Sequence, residues 1–165
     1  MKSFEGSIVY ITGGSSGIGL EMARIFAGRG AHLVLLARNR QKLEGAVRSV
    51  EKSRLSPGQK IASLCVDVAD PADVEEKMAA AVKEYGPPDI LVCSAGINKY
   101  ADHFENITYD MFDEVMKTNV YGPRTMIHTL LPAMKPGKGH VVILSSAAGL
   151  FGMFGYTAYG TSKAA

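Results

Sequence analysis

The feature that most limits what this chain can become is a series of five short apolar runs that lack polar alternation, each separated from the next by a helical pattern. The runs cover residues 7–11, 32–36, 60–66, 90–93 and 140–144. A strand with one wet face alternates apolar and polar side chains, so runs without that alternation belong to strands covered on both faces. Between them, residues 17–28 follow helical spacing through Ile18, Met22, Ile25 and Phe26. A second helix is expected over residues 40–52 behind Asn39 as N-cap, ending before Ser56-Pro57-Gly58. Asp70-Pro71-Ala72-Asp73 combines an N-cap, a proline at the first helical position and a carboxylate at the third. That helix should stop at Gly86-Pro87-Pro88. Thr108 caps another that passes through Met111, Phe112, Val115 and Met116, breaks or restarts at Pro123, and resumes to about residue 134. Strands buried on both faces and alternating with helices make a doubly wound α/β fold, a parallel sheet with helices on both sides.

At 165 residues the chain suits a single domain, with no internal repeat or linker. Its 47% hydrophobic and 21% charged content is that of an ordinary globular protein, and a net charge of +2 is too small to argue for nucleic acid or an anionic membrane surface, so neither is expected as a partner. No apolar run approaches the roughly 20 residues that span a bilayer. Residues 1–5 are polar and lead straight into the first strand, so no secretory leader is expected and the default compartment is the cytoplasm. Cys65 and Cys93 close apolar runs and read as reduced, buried core thiols. His32, His103, His128 and His140 share no ligand spacing, so no metal is expected. The eight Met residues read as helical core.

Thr12-Gly13-Gly14-Ser15-Ser16-Gly17-Ile18-Gly19 lies between the first strand and the first helix. A tight turn, close backbone approach and free N–H groups at a helix N-terminus are what a pyrophosphate needs, and glycine permits all three. The spacing is TGxxxGxG, and no Lys follows to make it a P-loop. The bland alternative is a flexible strand–helix turn. Its position after the first strand favours a dinucleotide and a Rossmann-type fold. An NAD-binding site would then place a carboxylate near the end of the second strand. Ala37 and Arg38 stand there instead, with Arg40 and Lys42 close behind. Cations at a helix N-terminus oppose its dipole, whereas a 2′-phosphate docked among them would reverse that penalty. NADP(H) is therefore the expected cofactor, and a solvated basic face is the alternative.

Tyr159 and Lys163 stand four apart at the start of an expected helix, on one face. A phenol of pKa near 10 becomes a useful acid or base when an ammonium stabilises its anion. Ser146 follows the fifth strand, at the end of the sheet where ligands of open α/β folds bind, and Asn119 lies just before Pro123.

With these motifs in order, the chain resembles the short-chain dehydrogenases/reductases over essentially its whole length. The resemblance is carried by Thr12–Gly19, Asp67, Cys93-Ser94-Ala95-Gly96, Asn119, Ser146 and Tyr159 with Lys163. It implies an oxidoreductase interconverting a ketone and a secondary alcohol. Tyr159 would be the general acid, and Lys163 would lower its pKa and bind the nicotinamide ribose. Ser146 would polarise the carbonyl, and Asn119 would hold a water in a proton relay. Cofactor contacts would fall on Thr12, Gly13, Ser15, Ser16, Gly17, Ile18, Gly19, Arg38, Lys42, Asp67, Val68, Ala95, Gly96, Tyr159 and Lys163, with Asp67 at the adenine amine. Where the family usually has Asn-Asn-Ala-Gly, this chain has Cys93-Ser94-Ala95-Gly96, and Cys93 receives no role.

Within the family, Ala37-Arg38-Asn39 and the segment from Leu150 to Tyr159 are similar to 3-ketosphinganine reductases, which implies an apolar, long-chain ketone. A second reading is a cofactor-binding module without turnover; the complete Ser146, Tyr159 and Lys163 set favours the enzyme. Family members are typically longer and add further strands and a substrate loop. The chain is thus expected to continue past Ala165, because residues 140–144 would otherwise form an exposed apolar sheet edge and Lys163 would lie in a fraying turn. The full-length protein is expected to be a homo-oligomer.

Overall fold

Side chains along a strand alternate between faces, and here both sets are apolar. In the computed structural model, which describes residues 4–134 and 139–165, Val9 and Ile11 of β1 (Ile8–Thr12) face one way and Tyr10 the other, and all three are fully buried. The same alternation runs through β2 (His32–Ala37) and β4 (Ile90–Cys93). Leu33, Leu35 and Val92 join Val9 and Ile11 beneath α1 (Gly17–Ala27) and α2 (Arg40–Glu51). Val34, Leu36, Leu91 and Cys93 join Tyr10 beneath α3 (Pro71–Tyr85) and α5 (Gly122–Leu130). Each fully buried Leu or Ile contributes about 1.5–3 kcal/mol, so the continuous apolar runs hold two layers of helix on one sheet.

With β3 (Ile61–Cys65) and β5 (His140–Ile143), the strands lie in the order β3-β2-β1-β4-β5, every pair parallel. The chain winds outward from β1 to β3 and then crosses to β4. The C-terminal ends of β1 and β4 therefore border the crevice where the winding reverses, the ligand position of such sheets. The doubly wound α/β architecture expected from the runs is the one observed.

The capping signals act as read. Asn39 Oδ1 accepts from the Lys42 amide at 2.9 Å, Asp70 Oδ1 from the amides of Ala72 and Asp73 at 3.0 and 3.3 Å, and Thr108 Oγ1 from Met111 at 3.3 Å at the start of α4 (Tyr109–Met116). Other expectations need correction. The fully buried stripe of α1 is Gly19, Ala23 and Ala27, with Met22 and Phe26 packed partly buried against the core as expected, while Ile18 and Ile25 are exposed. The interruption near Pro123 is a π-turn over Lys117–Tyr121 that precedes the proline, and α5 ends at Leu130. Cys65 is only half-buried, with its Sγ 2.9 Å from the Arg38 carbonyl, and Met153 is exposed rather than core. Lys163 lies in the last turn of α6 (Thr157–Ala164), and its ammonium is bonded.

As expected, among the described residues β5 pairs only with β4, and it presents Val141, Val142 and Ile143 at 39%, 39% and 55% exposure. Among the described residues no helix is long and apolar enough to cross a membrane. Residues 1–3, part of the polar start, and residues 135–138, just after the expected end of the long helix, lie outside the described residues.

Candidate active site

The turn after β1 is shaped by backbone contact. Gly13 has φ +67°, and a Cβ on it would stand 2.9 Å from the N and Cα of Ala95. Thr12, nearly fully buried, accepts from the amides of Ser94 and Ala95 through its Oγ1 at 3.1 and 3.0 Å. It therefore pins the ends of β1 and β4 together and faces inward, away from a ligand. Gly19 is likewise interior, since a Cβ there would sit 2.6 Å from the Gly13 carbonyl oxygen. Gly17 (φ +54°) has open space where its Cβ would go. Ser16 occupies the N-cap of α1 without a side-chain cap bond, unlike the caps of α2, α3 and α4. The first-turn amides of α1 thus have no side-chain cap and meet a glycine-lined opening, which is what a pyrophosphate requires.

Beside this turn, a cavity of about 220 Å³ is bordered by Gly13, Ser15, Ser16, Ala37, Arg38, Lys42, Val68, Ala95 and Gly96. Two of the three expected cations, Arg38 and Lys42, line it; Arg40 is exposed elsewhere on the helix start. Arg38 lies 3.9 Å from the Asp67 carboxylate. Asp67 is itself fixed, accepting from the Ala69 amide at 3.0 Å and donating its own amide to Asp73 at 2.8 Å. Ile97 and Thr118 also border this cavity and had no signal in the sequence.

A second opening of about 310 Å³ adjoins the first through Gly13, Ser16, Ala95 and Gly96, and it also meets Gly17, Ile18, Ser94, Ser145, Tyr159 and Lys163. Lys163 Nζ donates to the Leu144 carbonyl at 2.7 Å and stands 5.8 Å from the centre of the Tyr159 ring. Burial pushes the Lys163 ammonium below its ordinary pKa. Ser145 donates to the Lys163 carbonyl at 2.7 Å, so the end of β5 is tied to α6 twice. Ser146 comes just after, and its Oγ accepts from the Ala148 amide at 3.2 Å at the head of a 3₁₀ turn over Ala147–Gly149. Cys93 is buried and its thiol is pushed up to about 12 by loss of solvent, which suits an inert core residue.

Asn119 sits within the π-turn, nearly buried. Its side chain is fully engaged: Oδ1 accepts from the Ile97 amide at 2.8 Å, and Nδ2 donates to the Ile97 carbonyl and to Ser162 Oγ, both at 2.9 Å. A water could reach Asn119 only through its main chain. Residue 123 is a proline, so it supplies no N–H to the carbonyl four residues back, which is that of Asn119. A groove of about 670 Å³ runs between α5, β5 and the end of α6 past Pro123, Ile127, Leu131 and Ile143. It follows the open sheet edge and also meets Asn119, Ser145, Ser162 and Lys163. Among the described residues no group of His, Cys, Asp and Glu side chains could hold a metal.

The chain is similar in sequence and fold to known proteins. The chain is 38% identical over 160 residues to a 3-ketodihydrosphingosine reductase of Bos taurus, covering 96% of this chain and 48% of that protein. It is 37% identical over 161 residues to dehydrogenase/reductase SDR family member 7B of Bos taurus, covering 95% and 49%. It thus spans about half the length of the curated relatives it matches. Among solved structures, an NAD+-bound xylitol dehydrogenase superposes with TM-score 0.92 at 30% identity, over 99% of this chain and 62% of that one. The L-sorbose reductase of Gluconobacter frateurii, complexed with NADPH and L-sorbose, gives TM-score 0.90 at 29% identity over 98% and 60%. The family model described as "short chain dehydrogenase" matches residues 7–165. The chain belongs to the short-chain dehydrogenase family.

Proposed function

We propose that this chain is the cofactor-binding and catalytic part of an NADP(H)-dependent oxidoreductase that reduces a ketone to a secondary alcohol or runs the reverse reaction. The observation that carries the reading is the continuous crevice from Arg38 and Lys42, past the uncapped start of α1, to Tyr159 and Lys163. A nicotinamide dinucleotide fits its parts in order: adenosine by Val68 and Asp67, pyrophosphate on the amides of Ser16–Gly19, nicotinamide ribose by Lys163. The absence of a carboxylate at Ala37 and the two cations in the first cavity favour a 2′-phosphate. Bound there, the cofactor supplies or accepts the hydride.

The chain's own residues handle the proton. Tyr159 gives its hydroxyl proton to the developing alkoxide in the reductive direction, and the nearby Lys163 ammonium stabilises the phenolate left behind. Ser146 steadies the substrate oxygen after turning its hydroxyl from the 3₁₀ cap. The Asn119 carbonyl, deprived of its α-helical donor by Pro123, holds the water through which Tyr159 is reprotonated. The substrate reading is an apolar ketone, with a long-chain 3-keto sphingoid base as the first candidate. The likeness to 3-ketodihydrosphingosine reductase and the exposed Leu150, Phe151, Met153 and Phe154 that follow Ser146 in the chain support it. We further place the protein in the cytoplasm and expect the full-length form to be a homo-oligomer.

Oxidation of NADPH and NADH with a ketone panel spanning 3-ketosphinganine to small sugars tests the reading. NADPH-dependent loss of absorbance with the long-chain ketone is expected. Turnover confined to small polar ketones would reject the substrate class, and no turnover with any ketone would favour a binding module.

A further inference from the structure

Ser162 is buried, with 4% of its surface exposed, in a helix whose neighbouring positions carry the expected chemistry. Its hydroxyl donates to the Tyr159 carbonyl at 2.7 Å, a bond that any helical serine can make to its own turn. The bond it accepts is not generic. Asn119 Nδ2, 43 residues away in sequence, donates to Ser162 Oγ at 2.9 Å while its other proton goes to the Ile97 carbonyl. Asn119 Oδ1 takes the Ile97 amide at 2.8 Å. One chain of bonds therefore joins three segments: the loop after β4, the π-turn and α6. Gly96 lies against the same network, since a Cβ on it would be 3.3 Å from Asn119 Oδ1 and 3.6 Å from Lys163 Nζ.

We propose that Ser162 is a positioning residue, whose hydroxyl couples the Asn119 turn to the Tyr159–Lys163 helix and so sets the spacing of acid, ammonium and relay carbonyl. The inference rests on the reductase reading above. A hydroxyl is needed because the amide proton of the buried Asn119 requires an acceptor on α6, and alanine offers none. Without that acceptor the amide must turn toward another partner, which shifts the π-turn relative to α6. Displacements of this kind far from the reacting atoms cost on the order of 100-fold in rate.

The test is steady-state ketone reduction by the wild type, Ser162→Ala and Ser162→Thr between pH 6 and 10. Ser162→Ala should lower kcat by about 10- to 100-fold with KM within roughly 2-fold. Its pH profile should also depart from that of the wild type, because acid and ammonium are no longer held at the same spacing. Ser162→Thr, which keeps the hydroxyl, should recover most of the rate and the wild-type pH profile. A Ser162→Ala enzyme with a lower melting temperature but unchanged kcat and pH profile would overturn the proposal, because the bond would then be structural only. If the alanine variant does not fold, Ser162→Cys, similar in size with a weak donor and acceptor, is judged by the same two readouts. A wild type inactive on every ketone would overturn the reductase reading and this one together; an active wild type matched by its alanine variant would overturn this one alone.

Discussion

The same substitution, glycine to alanine inside a helix, should have opposite signs at two positions of this protein. In α2 a Cβ on Gly45 would meet only the tip of Arg48, at 4.0 Å. Alanine is the better helix former by about 1 kcal/mol, so Gly45→Ala should stabilise by that amount and raise Tm by about 2–4 °C in a chain of this size. Gly19 in α1 would gain the same propensity, but its Cβ would lie 2.6 Å from the oxygen and 3.0 Å from the carbon of the Gly13 carbonyl. Those atoms are backbone and cannot rotate away as a side chain would. Overpacking of this kind costs about 1–3 kcal/mol, and a contact so short belongs at the upper end, leaving a net loss of about 2 kcal/mol. The relief available is to push the Gly13 carbonyl outward, and Gly13 is the residue that touches Ala95 at the mouth of both cavities. Cofactor affinity should therefore fall by about tenfold, the equivalent of ~1.4 kcal/mol. Urea unfolding and fluorescence titration with NADPH measure the two effects. A Gly19→Ala protein as stable as Gly45→Ala, with unaltered cofactor binding, would refute the close approach of turn and helix on which the argument depends.

Arg38→Asp should weaken NADPH binding by about 10- to 100-fold, since a charge-assisted bond worth ~1.5–3 kcal/mol is replaced by repulsion, while NADH binding is retained or improved. Dissociation constants for both cofactors check this, and equal losses for the two would remove Arg38 from the 2′-phosphate site. Tyr159→Phe should reduce turnover to the limit of detection with the NADPH dissociation constant changed by no more than about 2-fold, as read by initial rates and titration. The Asp73 carboxyl is held below its ordinary pKa, first by its bond to Lys77 and then by the Asp67 amide. It therefore contributes stability above the unfolded value near pH 4, and that contribution is lost as pH falls through the lower folded value. Asp73→Ala should cost about 1 kcal/mol at pH 7 and progressively less toward pH 2, seen in urea midpoints across that range.

Local chemistry was enough for much of the fold. Runs apolar on both faces required a sheet covered on both faces, and β4 appears with the bounds its composition suggested, Ile90–Cys93. Asn39, Asp70 and Thr108 cap their helices because a capping side chain needs only its own next three residues. The glycine turn and the Tyr159–Lys163 pair were legible for the same reason, each being defined within one turn of chain. Other features depend on how far apart distant segments settle. Period alone placed Ile18 and Ile25 on the inner face of α1, whereas packing on the sheet fully buries Gly19, Ala23 and Ala27. The strand β1 begins at Ile8 rather than Ser7 because its ladder is set by β2 and β4. The Leu144 carbonyl that holds Lys163, 19 residues away, and the Ser162 hydroxyl that holds Asn119 carry no mark in the sequence. Hydrogen bonds between remote segments are decided by the packed distance between them, and that distance exists only once both layers of helix have closed on the sheet.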